Sequence, residues 1–363
     1  MAVVTEVWVN RKDYRDTKIV TTERRPLADG EVRVAVDKFG LTANNVSYAV
    51  SGDMIGYWKF YPAADHWGKV PVWGMADVIE SNSDNITVGE RIWGFFPMAN
   101  ETILKVGKVS DDAFMDLTPH RVELPALYNN YRRTVGEPDY LKALEVERCL
   151  LFPLFTTSFV LYDYLEDNDY FGAEQVVIGS VSSKTGFGLA HFIHQNKQAG
   201  KHVVGLTSAG NTAFVEQLNC CDQIVEYGNE ADIASDRKTA YVDMSGNRSL
   251  TETLHHQLGD NMVESCMVGV THWEQRGPAS QLPGATPTFF FAPAQIAKRD
   301  KEWGAGKLFE KASAAGAAIA ERISKDITVE HISGAEAAAE IWLSMLNNDV
   351  APSRGIMVSI TES

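Results

Sequence analysis

Cysteine is scarce in this chain. Only Cys149, Cys220, Cys221 and Cys266 occur, none in a C-x-x-C pair, and neighbours such as Cys220 and Cys221 rarely bridge. Free thiols in a reducing compartment are therefore expected. Long apolar runs are missing as well: no window approaches the roughly 18 apolar residues of a membrane span. The opening MAVVTEVWVNRKDYRD is charged early and has no apolar core, so it does not read as a signal peptide, and a cytoplasmic location is expected. Clustered basic charge is the third absence. The formal net charge is −15 and Lys and Arg are scattered, which disfavours nucleic acid or an anionic membrane as partner. Repeats and low-complexity linkers are absent too. The 363 residues, 45% hydrophobic and 22% charged, have the composition of a globular protein long enough for two cores.

The two halves of the chain carry different periodicities. Up to residue 126, short alternating or apolar runs (Glu6–Val9, Thr17–Thr22, Glu31–Phe39, Val72–Glu80, Arg91–Phe96) read as strands separated by turn signals, without long helical patterns. An antiparallel, barrel-like β domain is expected there. Residues 127–142 read as a polar and aromatic connection. Leu141–Asp167 has apolar residues at helical spacing. Strands at Gln175–Val181, His202–Thr207, Gln223–Glu226, Thr239–Met244, Glu264–Val270 and Thr288–Ala292 then alternate with helices at Gly188–Gln198, Thr212–Leu218, Ser249–Leu258 and beyond Ala294. Six such strands fit a doubly wound parallel sheet that binds a dinucleotide. A long helix over Gln295–Ile323, a strand at Thr328–Ile332, a helix at Ala335–Leu346 and a strand at Gly355–Ile360 close the chain.

The first turn of that sheet is QVVIGSVSSKTGFG, Gln175–Gly188. A strand, a turn of small residues and a helix start aim backbone N–H groups and a helix dipole at one point, which suits a phosphate. Glycines are mostly replaced: Ser182, Ser183, Lys184 and Thr185 form the core of the turn, followed by Gly186 and Phe187, and Gly188 takes the place of the glycine that lets helix and strand pack closely. Hydroxyls there can donate to a pyrophosphate. The second strand ends in Thr207, Ser208 and Asn211 with no carboxylate to repel a 2′-phosphate, which favours NADP(H). Val270, Thr271 and Phe291, at the ends of the fifth and sixth strands, complete the expected cofactor contacts. A P-loop is the competing reading of GSVSSKT, with AYVD at Ala240–Asp243 as a Walker-B-like strand.

Several stretches together are similar to a known family. Glu31–Asn45 (EVRVAVDKFGLTANN), Val78–Phe96 (VIESNSDNITVGERIWGFF), Leu151–Leu165 (LFPLFTTSFVLYDYL) and the closing stretch 335–360 resemble, in order, motifs of medium-chain dehydrogenase/reductases, especially their zinc-free quinone and enoyl reductases. The resemblance implies a Rossmann doubly wound sheet at 140–324 and a discontinuous GroES-like β-barrel domain at 1–126 and 325–363, with a cofactor cleft between them. It also implies that Thr157, with Thr156, lies beside the nicotinamide. Where zinc-dependent relatives have a ligand Cys this chain has Thr42, and around their His-Glu segment it has Trp73 and Gly74, so no metal is expected. His66 and His120 stand isolated.

Without a metal as Lewis acid, reduction of an activated C=C or a quinone is the expected chemistry. Asn44 is a candidate to hold a carbonyl or the nicotinamide ribose. Tyr48, Tyr57 and Tyr61 follow it, and a phenol with an ordinary pKa near ~10 is a weak acid toward an enolate. The aromatic segment Tyr57–Trp67, with Tyr128, Tyr131, Arg132 and Arg133, reads either as a lid over a bulky or planar small-molecule substrate, or as loop packing or a contact in a homodimer. A metal-free carbonyl reductase or alcohol dehydrogenase, a non-catalytic NADP(H)-binding protein and a P-loop NTPase remain open alternatives.

Overall fold

The computed structural model describes residues 3–196, 198–269 and 282–361. Two compact units divide the chain: residues 1–150, 328–350 and 354–363 form the first, and residues 151–327 with 351–353 form the second.

The first unit begins with β1 (Val3–Asn10), β2 (Thr17–Glu23), β3 (Glu31–Leu41), α1 (Ala43–Val50), the short α2 (Gly52–Ile55) and β4 (Trp67–Gly68). It continues through β5 (Pro71–Ser81), β6 (Arg91–Pro97), β7 (Glu101–Gly107), β8 (Ala113–Asp116) and β9 (Asn130–Arg133) to α3 (Asp139–Lys142) and α4 (Glu145–Leu150). Strands β3, β5, β6, β9, β8 and β7 pair in that order, and β7 pairs back onto β3, closing a six-stranded antiparallel barrel. Closure leaves no unpaired edge among these strands. β9 corrects the reading of 127–142 as a mere connection, because Asn130–Arg133 is itself a barrel stave. The alternation Val32, Val34, Val36 of β3 points into the core, fully buried.

The second unit holds α5 (Phe152–Asp167), β10 (Gln175–Gly179), α6 (Lys184–Gln195), β11 (His202–Thr207), α7 (Thr212–Leu218), β12 (Gln223–Glu226), β13 (Thr239–Asp243), α8 (Arg248–Leu258), β14 (Met262–Met267), β15 (Thr288–Phe289), α9 (Ala292–Trp303) and α10 (Lys307–Ile323). Its parallel sheet has the order β12-β11-β10-β13-β14-β15, the 3-2-1-4-5-6 order of a dinucleotide-binding doubly wound fold. The chain then returns to the first unit with β16 (Thr328–Ser333), α11 (Ala335–Leu346) and β17 (Arg354–Ser359), and β17 pairs antiparallel with β3. The α/β class with a Rossmann sheet and a GroES-like barrel is thus the fold of the chain.

Local chemistry moves several expected boundaries. The helix expected over 141–167 is three, and Pro153, which can occupy a first turn but not a helix interior, accounts for α5 starting afresh at Phe152. The helix expected over 295–323 breaks at Gly304 and Gly306, whose φ of +100° and +79° lie in the region that favours glycine. β14 ends at Met267, and β15 covers only Thr288–Phe289 because Ala292 already opens α9 ahead of Pro293. No helix among the described residues is long and apolar enough to cross a membrane.

Candidate functional site

In the second unit the site candidates gather at the carboxyl ends of β10 and β11. β10 stops at Gly179, and Ser180 then takes φ +55°, turning the chain so that Ser183 caps α6. The helix therefore begins at Lys184 rather than at Gly188. Ser183 Oγ accepts from the Gly186 N–H at 3.1 Å and donates to Ser180 O at 2.7 Å. The N–H groups of Ser182 and Thr185 have no protein acceptor among the described residues. Two idle donors thus stand at the start of a twelve-residue helix, where the dipole also favours an anion.

The two glycines of the turn do different work. A Cβ on Gly186 would sit 2.6 Å from Ser180 O and 2.9 Å from Val181 Cα, so this glycine lets the helix start press on the strand end. A Cβ on Gly188 would meet Ser158 Oγ at 2.6 Å and the Phe155 ring at 2.8 Å. Gly188 thus packs against α5, not against the strand as its place in the motif suggested.

Lys184 Nζ donates to Pro352 O at 3.0 Å, and burial pushes its pKa down to about 8. Asp243 Oδ1 accepts from the N–H groups of Ser245 and Gly246 and from Ser245 Oγ, holding the turn after β13. Across the turn, Asn211 Nδ2 donates to Ser208 Oγ at 3.0 Å and approaches Ser182 Oγ at 3.5 Å. Thr207 is fully buried and its Oγ1 has no partner among the described residues. Glu226, the acid ending β12, accepts from Thr212 Oγ1 at 2.9 Å. Idle N–H donors, an orphaned hydroxyl and small polar groups instead of a carboxylate at the end of β11 fit a dinucleotide phosphate. Phe187 is buried on α6, its ring edge-on to Phe155. Thr156 and Thr157 bond back to Phe152 O and Pro153 O of their own helix. Phe291 is exposed at the start of α9. Val270 and Thr271 lie outside the described residues. Tyr227, which sequence reasoning missed, accepts from the Ser180 N–H at 2.9 Å through its phenol oxygen and so reaches over this turn.

In the first unit, Thr42 and Asn45 form a capping box at the start of α1, which presents Asn44 and Tyr48 one helical turn apart. Tyr48, Tyr57 and Tyr61 belong to one buried aromatic cluster with Phe60, Trp73 and Phe95, against which Trp93 and Tyr128 pack. Their hydroxyls are used differently. Tyr61 donates to Phe95 O at 2.5 Å and accepts from Arg121 at 3.0 Å. Tyr57 shares a hydrogen bond of 2.8 Å with Tyr128. Tyr48 accepts from Trp73 Nε1 at 3.1 Å. Burial raises the pKa of all three phenols; the nearby Tyr128 adds to this for Tyr48, while hydrogen bonds from Trp73 and Asn44 partly offset it. Arg121, 1% exposed, ion-pairs with Asp116 at 2.8 Å. Arg133 pairs with Glu90, and Arg132 is half exposed near Asp112 and Glu137. His120 bonds Phe60 O and the His66 ring lies tilted beside Trp67. Among the described residues no three His, Cys, Asp or Glu side chains converge as a metal site.

A closed antiparallel barrel and a 3-2-1-4-5-6 parallel sheet in one chain define the medium-chain dehydrogenase/reductase fold, as found in quinone and enoyl reductases. The chain is similar over 95% of its length to 95% of CurA from Vibrio vulnificus, solved with NADPH, at 11% identity and a TM-score of 0.60. A mutant enoyl thioester reductase from Candida tropicalis aligns over 99% of this chain and 100% of its own, at 13% identity and a TM-score of 0.57. The quinone oxidoreductase from Coxiella burnetii does so over 99% and 100%, at 16% identity and a TM-score of 0.52. By sequence the chain belongs to the DUF2855 family, described as proteins of unknown function, which matches residues 39–351. No curated protein matches it.

Proposed function

We propose that this protein is an NADPH-dependent reductase that transfers hydride to an activated C=C bond or a quinone, without a metal. The observation that carries the reading is the α6 cradle: free N–H groups of Ser182 and Thr185 beside a strand end that offers Ser208 and Asn211 in place of a carboxylate. Ser182 and Thr185 hold the pyrophosphate, and Ser208 and Asn211 accommodate the 2′-phosphate; Ser183 shapes the turn by donating to Ser180 O and capping α6. The bound dinucleotide supplies the hydride. When the β carbon of an enone accepts it, the C=C pair forms a new bond to the carbonyl carbon and the C=O pair becomes the charge on oxygen, giving an enolate that, once protonated, tautomerises to the saturated ketone. Tyr48 donates a hydrogen bond and then its proton to that oxygen, and solvent returns a proton to the phenol. Tyr61 is less suited, since its proton already binds Phe95 O. The aromatic cluster around Tyr48 suits a planar, apolar substrate.

Calorimetric titration with NADPH, NADH and Mg-ATP tests the cofactor half of this reading. NADPH binding tighter than NADH is expected, and tight ATP binding with neither nicotinamide bound would overturn it. Ser208→Asp places a carboxylate at the end of β11 and is expected to shift preference toward NADH by about tenfold or more. Unchanged preference removes the 2′-phosphate assignment. Oxidation of NADPH with enones, quinones and aldehydes then separates C=C reduction from carbonyl reduction.

A further inference from the structure

We propose that Trp73 is a positioning residue that orients Tyr48 by donating to its oxygen, so that the phenol proton is left to offer a ligand oxygen. The inference rests on the reductase reading above and assigns a role to a side chain outside the cradle and outside the three candidate tyrosines.

A phenol has one proton to donate and an oxygen that accepts, whereas an indole N–H can only donate. The 3.1 Å contact from Trp73 Nε1 to the Tyr48 oxygen therefore has a fixed sense, and it occupies the oxygen as acceptor. Among the described residues no hydrogen bond runs from Tyr48 outward. Tyr48 is only 6% exposed, and a buried donor left idle is destabilising. An idle donor in a buried aromatic cluster is satisfied by a ligand acceptor.

The other phenols of the cluster are arranged differently. Tyr61 and Tyr131 both donate to Phe95 O, at 2.5 and 2.6 Å. In the Tyr57–Tyr128 pair either oxygen can be the donor, so neither has a fixed direction. Trp73 itself cannot turn away. Its ring stacks on Trp93 with centroids 4.7 Å apart and planes at 20°, and touches Phe95 at 5.0 Å. It sits within β5, paired to Phe95 of β6 and Gly40 of β3. The next residue, Gly74, lies so close to β3 that a Cβ would be 2.6 Å from Lys38 O. A rigid strand thus delivers the N–H that orients the phenol. The same bond favours the phenolate formed once the proton has left.

Trp73→Phe keeps a flat ring and removes the N–H. In the full chain, with NADPH and whichever of 2-cyclohexenone and 1,4-naphthoquinone is turned over, kcat is expected to fall about ten- to hundredfold with KM within about twofold. The solvent isotope effect on kcat should rise, because proton delivery becomes slower relative to hydride transfer. Tyr48→Phe should lower kcat at least as much, and Trp73→Phe added to it should change little, since both act through one proton. Additive losses, or an unchanged solvent isotope effect, would overturn the role of Trp73 while leaving the reductase reading intact. A wild-type protein that turns over none of these substrates removes the reading and the inference with it. If Trp73→Phe fails to fold, Tyr48→Phe still reports: the indole proton of Trp73 should move upfield in nitrogen-15-resolved spectra when its acceptor is removed, and an unmoved signal would overturn the contact.

Discussion

His191 and Arg121 are both about 1% exposed, yet the protein treats their charges oppositely. Arg121 stays charged because Asp116, Tyr61, Tyr131, Asn129 and the Tyr128 carbonyl take its donors, and in doing so it spends the Tyr61 hydroxyl on structure. His191 on α6 is kept neutral: burial first, then the charge of Arg322, pushes its pKa from 6.5 to about 3. Arg322 donates to its Nδ1 at 2.5 Å, so the ring proton sits on Nε2, which has no partner among the described residues. Because the folded pKa lies below the unfolded one, the unfolded chain binds the extra proton between about pH 6.5 and pH 3. Stability from this site is fully present above about pH 6.5 and is lost as pH falls toward 3. The expected slope is roughly 1 kcal/mol per pH unit between pH 6 and 4. His191→Gln, which keeps an acceptor for Arg322, should flatten it by about one proton in urea unfolding at pH 7, 6, 5 and 4. A slope equal to that of the wild type would mean another group dominates.

At the scale of elements, the junction of β10 with α6 decides most. Gly186 faces backbone, which cannot move without breaking the turn, whereas Gly188 faces the Ser158 hydroxyl and the Phe155 ring, which can rotate. Gly186→Ala should therefore weaken NADPH binding about tenfold and cost about 1–3 kcal/mol, while Gly188→Ala should lower the melting temperature but leave affinity within about twofold. Paired calorimetric titrations and melting curves check this, and equal losses of affinity would show that both glycines shape the cradle. The strands and the alternation that built this junction were legible in the chain, because periodicity depends on neighbours in sequence. The position of the helix start was not. It turns on Ser180 adopting φ +55° and on the Ser183 cap, and a serine carries no mark that it will do either. The aromatic cluster was legible only as an abundance of rings. Its partners lie far apart, Tyr57 with Tyr128 and Tyr61 with Tyr131, so which phenol keeps a free proton depends on contacts that no local pattern encodes. Trp73 was visible only as the residue standing where relatives place a metal-binding segment; its N–H bond to Tyr48 needed β5 and α1 side by side.

For the whole molecule, the order of the motifs was legible because each unit is marked by its own period, two in the barrel strands and a strand–helix alternation in the sheet. The breaks at Pro153, Gly304 and Gly306 adjust that plan without altering it. Net charge sets one further property that neither unit decides alone. A chain of −15 repels NADPH, which is itself strongly anionic, over distances beyond the helix dipole, whose pull fades within the first turn. At about 10 mM ionic strength the screening length is roughly 30 Å, comparable with the protein, and at about 100 mM it is roughly 10 Å. Raising salt across this range removes the long-range repulsion but would leave short N–H contacts at the proposed cradle of Ser182 and Thr185 largely intact. The association rate of NADPH is therefore expected to rise with salt up to about 100 mM, the reverse of an electrostatically steered site, while the dissociation rate changes little. Stopped-flow quenching of tryptophan fluorescence at a series of ionic strengths measures both rates. An association rate that falls with salt would mean that a local basic field outweighs the net charge at the cradle, and Lys184 would be the first residue to replace in locating it.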